Sequence, residues 1–135
     1  MGEILFIATA FLEGFISVFE ASVFGVMMIG IVAGMIVGLI PGLGGLVAQI
    51  LLVPFALQME PLHAYVMMLA VYAVTTQTDS IPAVLIGVPG TAAALATSLD
   101  GYPMAKRGEA GRALCASYYA SIIGTIVATG IFILF

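Results

Sequence analysis

Apolar positions along the chain fall into long runs, separated by proline-glycine pairs and one short hydroxyl-rich cluster. The first run, Ile4 to Phe19, is interrupted by Glu13 and followed by Glu20. Within it Leu5, Ala8, Phe11, Leu12, Phe15, Ile16 and Phe19 recur at three-and-four spacing, which puts them on one face of a helix. An apolar face in a run broken by acids predicts an amphipathic helix over residues 1–21, lying in a membrane interface rather than crossing it. Ser22 to Ile40 carries no charge and approaches the ~20 residues that a bilayer requires, so it predicts a membrane span.

Pro41-Gly42-Leu43-Gly44-Gly45 then ends that helix, because proline lacks the N–H that continues the ladder and clustered glycines loosen the backbone. Leu46 to Met59 is a short run that contains Pro54 and closes at Glu60-Pro61. Leu62 to Val74 is apolar and gives way abruptly to Thr75-Thr76-Gln77-Thr78-Asp79-Ser80. Ile81 to Val88 and Ala92 to Leu99 flank Pro89-Gly90-Thr91. Each arm is too short to cross a bilayer, so the pair predicts a re-entrant hairpin or a broken helix. Asp100 to Gly111 has loop composition, and Ala113 to Phe135 reads as a final span. The expectation is an all-α integral membrane protein with about four transmembrane segments. It forms one membrane domain over 1–135: an interfacial helix at 1–21, spans and a broken hairpin at 22–99, a loop at 100–112, and a last span at 113–135.

Composition sharpens this picture. Hydrophobic residues make up 63% and charged residues 7% of the chain, and the mean hydropathy is +1.27. Soluble domains carry roughly 25% charged residues, so a solvated globule, a disordered tail and a disulfide scaffold are excluded. Seven acids oppose three bases, which leaves no basic stripe for nucleic acid. Cys115 has no second cysteine to pair with. The start, Met1-Gly2-Glu3-Ile4, is acidic where a secretory signal is basic, and is expected to be retained. Lys106, Arg107 and Arg112 are the bases, and their clustering puts the 100–112 loop on the cytoplasmic side. The closing Ile133-Leu134-Phe135 has no polar flank, and the expectation is that the chain is part of a larger transporter.

Candidate chemistry gathers at the breaks. Gly38-Leu39-Ile40-Pro41-Gly42 and Gly87-Val88-Pro89-Gly90 repeat one signature. Non-helical backbone at membrane depth survives where protein or a water-filled cavity satisfies it, and half-helix ends of this kind hold ions in transporters. Kinks or ordinary turns are the plainer alternative. Thr75 to Ser80 combines four hydroxyls, an amide and a carboxylate. A carboxylic acid in such a setting is costly and marks function by default; a solvated turn is again the plainer alternative. Its oxygens suit a small hard cation, and hydroxyls also bond a substrate carboxylate. Residues 1–105 contain no Lys or Arg, so an anion would depend on backbone N–H groups, hydroxyls and helix N-termini.

The candidate substrate- or cation-binding set is therefore Pro41, Gly42, Gly44, Gly45, Thr76, Thr78, Asp79, Ser80, Pro89, Gly90, Thr91 and Thr97. Asp79 is its centre, with a coupling ion, sodium or a proton, beside it to neutralise the charge. No catalytic residue, cofactor or fixed metal site is assigned. Gly30, Gly34 and Gly38 recur every four residues, as do Ala116, Ala120, Gly124 and Ala128, and such spacing lets helices approach closely.

Pro41-Gly42-Leu43-Gly44-Gly45, Thr78-Asp79-Ser80-Ile81-Pro82-Ala83-Val84-Leu85, Gly87-Val88-Pro89-Gly90-Thr91 and Ala96-Thr97-Ser98-Leu99-Asp100-Gly101-Tyr102-Pro103-Met104-Ala105-Lys106-Arg107-Gly108 follow in order. From about Gly34 onward the chain resembles the large membrane subunit (TctA) of the bacterial tripartite tricarboxylate transporters. The resemblance implies a cation-coupled, binding-protein-dependent secondary transporter for tricarboxylates or related organic anions in the bacterial inner membrane. It also implies two partners, a small membrane subunit and a periplasmic substrate-binding protein. Family chains are several times longer and hold a second related half, so this one is expected to work with that half or with another copy of itself. Two other readings compete: a small structural or assembly membrane protein, and an intramembrane aspartyl protease using Asp79 and Asp100. Neither acid has the Gly-x-Gly-Asp context of such a protease.

Overall fold

The computed structural model describes residues 2–134, with the side chains of residues 2–5, 8 and 134 outside the description. Seven helices and no strand occur among the described residues: α1 Gly2–Ser17, α2 Ala21–Gly38, α3 Gly45–Ala56, α4 Pro61–Thr78, α5 Ser80–Ile86, α6 Ala92–Lys106 and α7 Ala110–Leu134. Three stretches are long and apolar enough to cross a membrane: Ala21–Gly38, Pro61–Ile86 and Ala110–Ile133. The sequence reading of an all-α architecture holds. Of the predicted apolar face, Phe11, Leu12, Phe15 and Ile16 in α1 and Phe19 just after it are exposed, while Leu5 and Ala8 lie outside the described side chains.

The core is a glycine seam between α2 and α4. Gly30 meets Met67, Gly34 meets Val71 and Gly38 meets Thr75, so the two helices run parallel with four-residue steps in register. A Cβ on Gly30 would stand 2.9 Å from the Met67 carbonyl oxygen, and one on Gly34 would stand 2.8 Å from that of Val71. This backbone-to-backbone approach is what small residues permit where there is no hydrophobic force between helices in lipid. The α3 helix starts beside Tyr72 and Thr75 and returns toward the start of α4, antiparallel to both.

The polar run does not interrupt α4, which stays helical through Thr78. Thr75, Thr76 and Thr78 each donate a hydroxyl hydrogen to the carbonyl four residues back, at 2.6, 3.0 and 2.8 Å. The hydroxyls thus find partners inside the helix. A solvated turn is excluded here, since Thr75, Thr78, Asp79 and Ser80 are all buried.

Beyond Asp79 the two arms differ from a hairpin. Thr91 lies at Asp79 before α5, Gly101 lies against Val84, and Tyr102 covers Gly87 at the end of α5. The contacts advance together, so α5 and α6 run parallel, and Gly87–Thr91 leads back along α5 to start α6 level with it. The predicted 100–112 loop is also corrected. Asp100 to Lys106 belong to α6, and residues 107–109 alone separate it from α7. Pro103 costs a helix interior about 3 kcal/mol. Against that, Gly101 is buried so close to Val84 that a Cβ would stand 2.7 Å from a methyl carbon, and packing of this kind overrides local propensity.

Candidate functional site

Asp79 sits at the corner between α4 and α5 and is 1% exposed. The Gly90 backbone N–H donates to its Oδ1 at 2.5 Å, and the Thr91 hydroxyl donates to its Oδ2 at 2.7 Å. Thr91 Oγ1 in turn accepts from the Ala94 N–H at 3.3 Å, which makes Thr91 the N-cap of α6. Both carboxylate oxygens therefore act as acceptors. The charge meets no Lys or Arg. The His63–Glu60 contact and the Arg112–Glu109 ion pair lie at helix ends elsewhere. Two charge-assisted hydrogen bonds and the positive end of the α6 dipole stabilise it instead.

The neighbouring break packs against this one. A Cβ on Gly44 would stand 2.8 Å from Thr91 Cγ2 and 3.1 Å from the Gly90 carbonyl oxygen. A Cβ on Gly90 would stand 3.2 Å from the Leu43 carbonyl oxygen. The N-termini of α3, capped by Gly44, and of α6, capped by Thr91, consequently meet at one place. They open onto a cleft of about 470 Å³, lined by residues including Gly42, Gly44, Gly45, Tyr72, Thr76, Gly90, Thr91, Ala92 and Ala93. The first N–H groups of a helix have no intrahelical partner, so two such ends give a surface of donors without a formal charge.

Of the predicted set, Gly42, Gly44, Gly45, Thr76, Gly90 and Thr91 line this cleft. Thr76 does so with its hydroxyl hydrogen directed to the Tyr72 and Ala73 carbonyls of its own helix. Asp79 stands behind the wall rather than in it. Pro41 is exposed and Pro89 half-buried beside the breaks they create. Thr78 is spent on the α2 seam, where a Cβ on Gly38 would stand 2.8 Å from its own Cβ. Ser80 pairs with Ser117 of α7 at 3.1 Å.

Thr97 is separate from the cleft and lines a groove between α6 and α7 with Asp100, Ser117 and Ser121. Asp79 is buried at the α4/α5 corner, whereas Asp100 is exposed and lines the α6/α7 groove. No group of three or more His, Cys, Asp or Glu side chains converges among the described residues. Sequence reasoning missed Leu46, Val47, Tyr72, Ala92 and Ala93 as cleft residues. An alanine in the first turn of a helix carries no chemical signal, because there the backbone does the work.

The chain matches the Tripartite tricarboxylate transporter TctA family over residues 24–135. It is also 33% identical over 101 residues to an uncharacterized 52.8 kDa protein in the TAR-I ttuC' 3' region of Agrobacterium vitis. That similarity covers 75% of this chain and 20% of the relative, so the chain spans about a fifth of the relative's length. No solved structure matches.

Proposed function

The chain belongs to the TctA family of tripartite tricarboxylate transporters, and we propose that its α3/α6 cleft is one wall of the substrate site of a carboxylate permease. The observation that carries this reading is the convergence of two helix N-termini on a glycine-lined cleft. Residues 1–105 have no Lys or Arg, so helix ends are the donors that remain for an anion's carboxylates. Broken helices of this kind form substrate sites in transporters, which supports the reading.

Uptake in this reading is coupled to a cation. A multiply charged anion entering a site without a basic side chain requires a counter-charge, because unpaired charge is costly in a low dielectric. Sodium or a proton travelling with the substrate supplies it. The three long apolar helices cross the bacterial inner membrane, with Lys106, Arg107 and Arg112 cytoplasmic. The working assembly includes a small membrane subunit, a periplasmic binding protein, and either a second related half or another copy of this chain. A purely structural or assembly role is the second reading.

Ala93→Asp tests the assignment in the assembled system. An acid in the first turn favours the α6 helix, yet it would occupy the donors meant for the substrate. The KM for radiolabelled citrate should rise at least tenfold, with Ala93→Asn close to the parent. Unchanged citrate uptake in Ala93→Asp would remove the cleft from the transport path.

A further inference from the structure

We propose that Asp79 is a positioning residue and not a ligand. Its carboxylate latches the Gly90-Thr91 backbone, so that the α6 N-terminus faces the cleft beside that of α3. The inference rests on the cleft being the seat of the anion, and deepens that reading by giving its central acid a role.

Three observations carry it. Both oxygens of Asp79 are already engaged, by the Gly90 N–H and the Thr91 hydroxyl. The side chain is buried and the residues it holds, not Asp79 itself, line the cleft. Thr91 is committed in both directions. Because its hydrogen goes to Asp79, its oxygen is turned to accept from Ala94 and cap α6. The same side chain then touches Gly44, which caps α3. One carboxylate thereby fixes the relative placement of both helix starts through a line of contacts, Asp79 to Thr91 to Gly44. Each oxygen keeps a further lone pair, but Asp79 is 1% exposed and does not line the cleft, so an ion there would meet Gly90 and Thr91 before it.

The latch separates experimentally from a cation ligand. In the assembled transporter with Cys115→Ser, we would compare Asp79→Asn, Thr91→Val, Thr91→Ser and the Asp79→Asn/Thr91→Val double variant. Two readouts are needed: citrate uptake against citrate and against cation concentration, and thiol labelling of Ala92→Cys at the cleft. Loss of either partner of a charge-assisted bond should raise the KM for citrate about ten- to hundredfold and speed labelling. Thr91→Ser keeps the hydroxyl but loses the Cγ2 that touches Gly44, so its KM should rise, though less than in Thr91→Val. The double variant should be no worse than the worse single one, since both break one latch, and the cation dependence should keep its shape throughout.

The proposal is overturned if Asp79→Asn alone alters the cation dependence while Thr91→Val leaves KM and labelling unchanged. Faster labelling in both single variants at constant KM would support the latch and overturn the cleft assignment instead. Should Asp79→Asn fail to reach the membrane, the Thr91→Val and Thr91→Ser pair decides the question alone.

Discussion

The two proline-glycine breaks share a composition and differ in how they are held. Around the first, Pro41 is exposed, and Gly42 has a φ of +83° with no atom near the place of a Cβ. Its turn is held by backbone, through the Leu43 N–H to the Ile40 carbonyl at 3.2 Å. The second break is gripped at both ends. Gly87, at a φ of +71°, lies beneath the Tyr102 ring, and Gly90 is pressed against Asp79. Lys106 completes that stack, with its Nζ 4.5 Å from the centre of the Tyr102 ring. Proline and glycine therefore create a break without deciding its stiffness. Side chains from neighbouring elements decide that: they grip the second break at both ends, and the first at Gly44 and Gly45 but not at Pro41 and Gly42.

The largest effect that this contrast predicts comes from a single methyl group in the gripped break. A Cβ on Gly90 would stand 2.7 Å from Asp79 Oδ1 and 3.2 Å from the Leu43 carbonyl oxygen. Gly90→Ala should break the 2.5 Å bond to Asp79 and force the two breaks apart. Overpacking of this kind costs about 1–3 kcal/mol, and the lost charge-assisted bond adds to it. Citrate uptake by the assembled transporter should fall more than tenfold while the protein still reaches the membrane. Near-normal uptake would show that the second break is not stiff.

Much of this arrangement was legible in the chain, for reasons that differ by feature. Ser22–Ile40 announced a span because lipid demands unbroken apolarity, and the spacing of Gly30, Gly34 and Gly38 announced a close seam because only small residues permit one. Pro41 and Pro89 announced the breaks because a missing N–H acts locally. The misread features are set by partners distant in sequence. Asp100-Gly101-Tyr102-Pro103 carries turn-forming residues, yet it is helical because Gly101 and Tyr102 pack on α5. The parallel course of α5 and α6 depends on the Asp79–Thr91 bond, which no periodicity encodes. Thr97 sits at a suggestive distance from Pro89 along the chain, but its helix turns it toward α7. Asp79 stood out as an acid among apolar runs, whereas its donors, one of them a glycine N–H, could not.

An intermediate effect should come from the other end of the grip. The Tyr102 ring lies where a Cβ on Gly87 would fall 3.0 Å from it, and the ring is half-buried. Tyr102→Ala uncovers Gly87 and leaves Asp79 and Thr91 in place. Truncating a fully buried aromatic costs about 3–5 kcal/mol, and a half-buried one should cost about half that. The midpoint of thermal unfolding in detergent should drop, with the KM for citrate rising less than in Gly90→Ala. A KM change as large as that of Gly90→Ala would mean that the Tyr102 end also sets the cleft geometry, and the grip would then act as one unit.

The smallest effect belongs to the open end of the first break, and it tests whether that end is free. Gly42 lies in the left-handed region, where a side chain costs about 1–2 kcal/mol. An alanine recovers part of this by restricting the unfolded chain, a gain of about 0.4–1 kcal/mol where no strain intervenes. No packing cost is added, since nothing lies within 4 Å of the new methyl group. Gly42→Ala should therefore destabilise by about 1 kcal/mol and leave the KM for citrate within about twofold, although Gly42 lines the same cleft as Gly90. The comparison breaks if Gly42→Ala abolishes uptake as thoroughly as Gly90→Ala. The space beside Gly42 would then be filled in the working assembly, by the substrate or by a partner subunit closing the cleft. Titrating citrate protection of a thiol at Gly42→Cys, again without Cys115, would separate those two occupants: substrate protection scales with citrate, whereas a partner's protection persists without it.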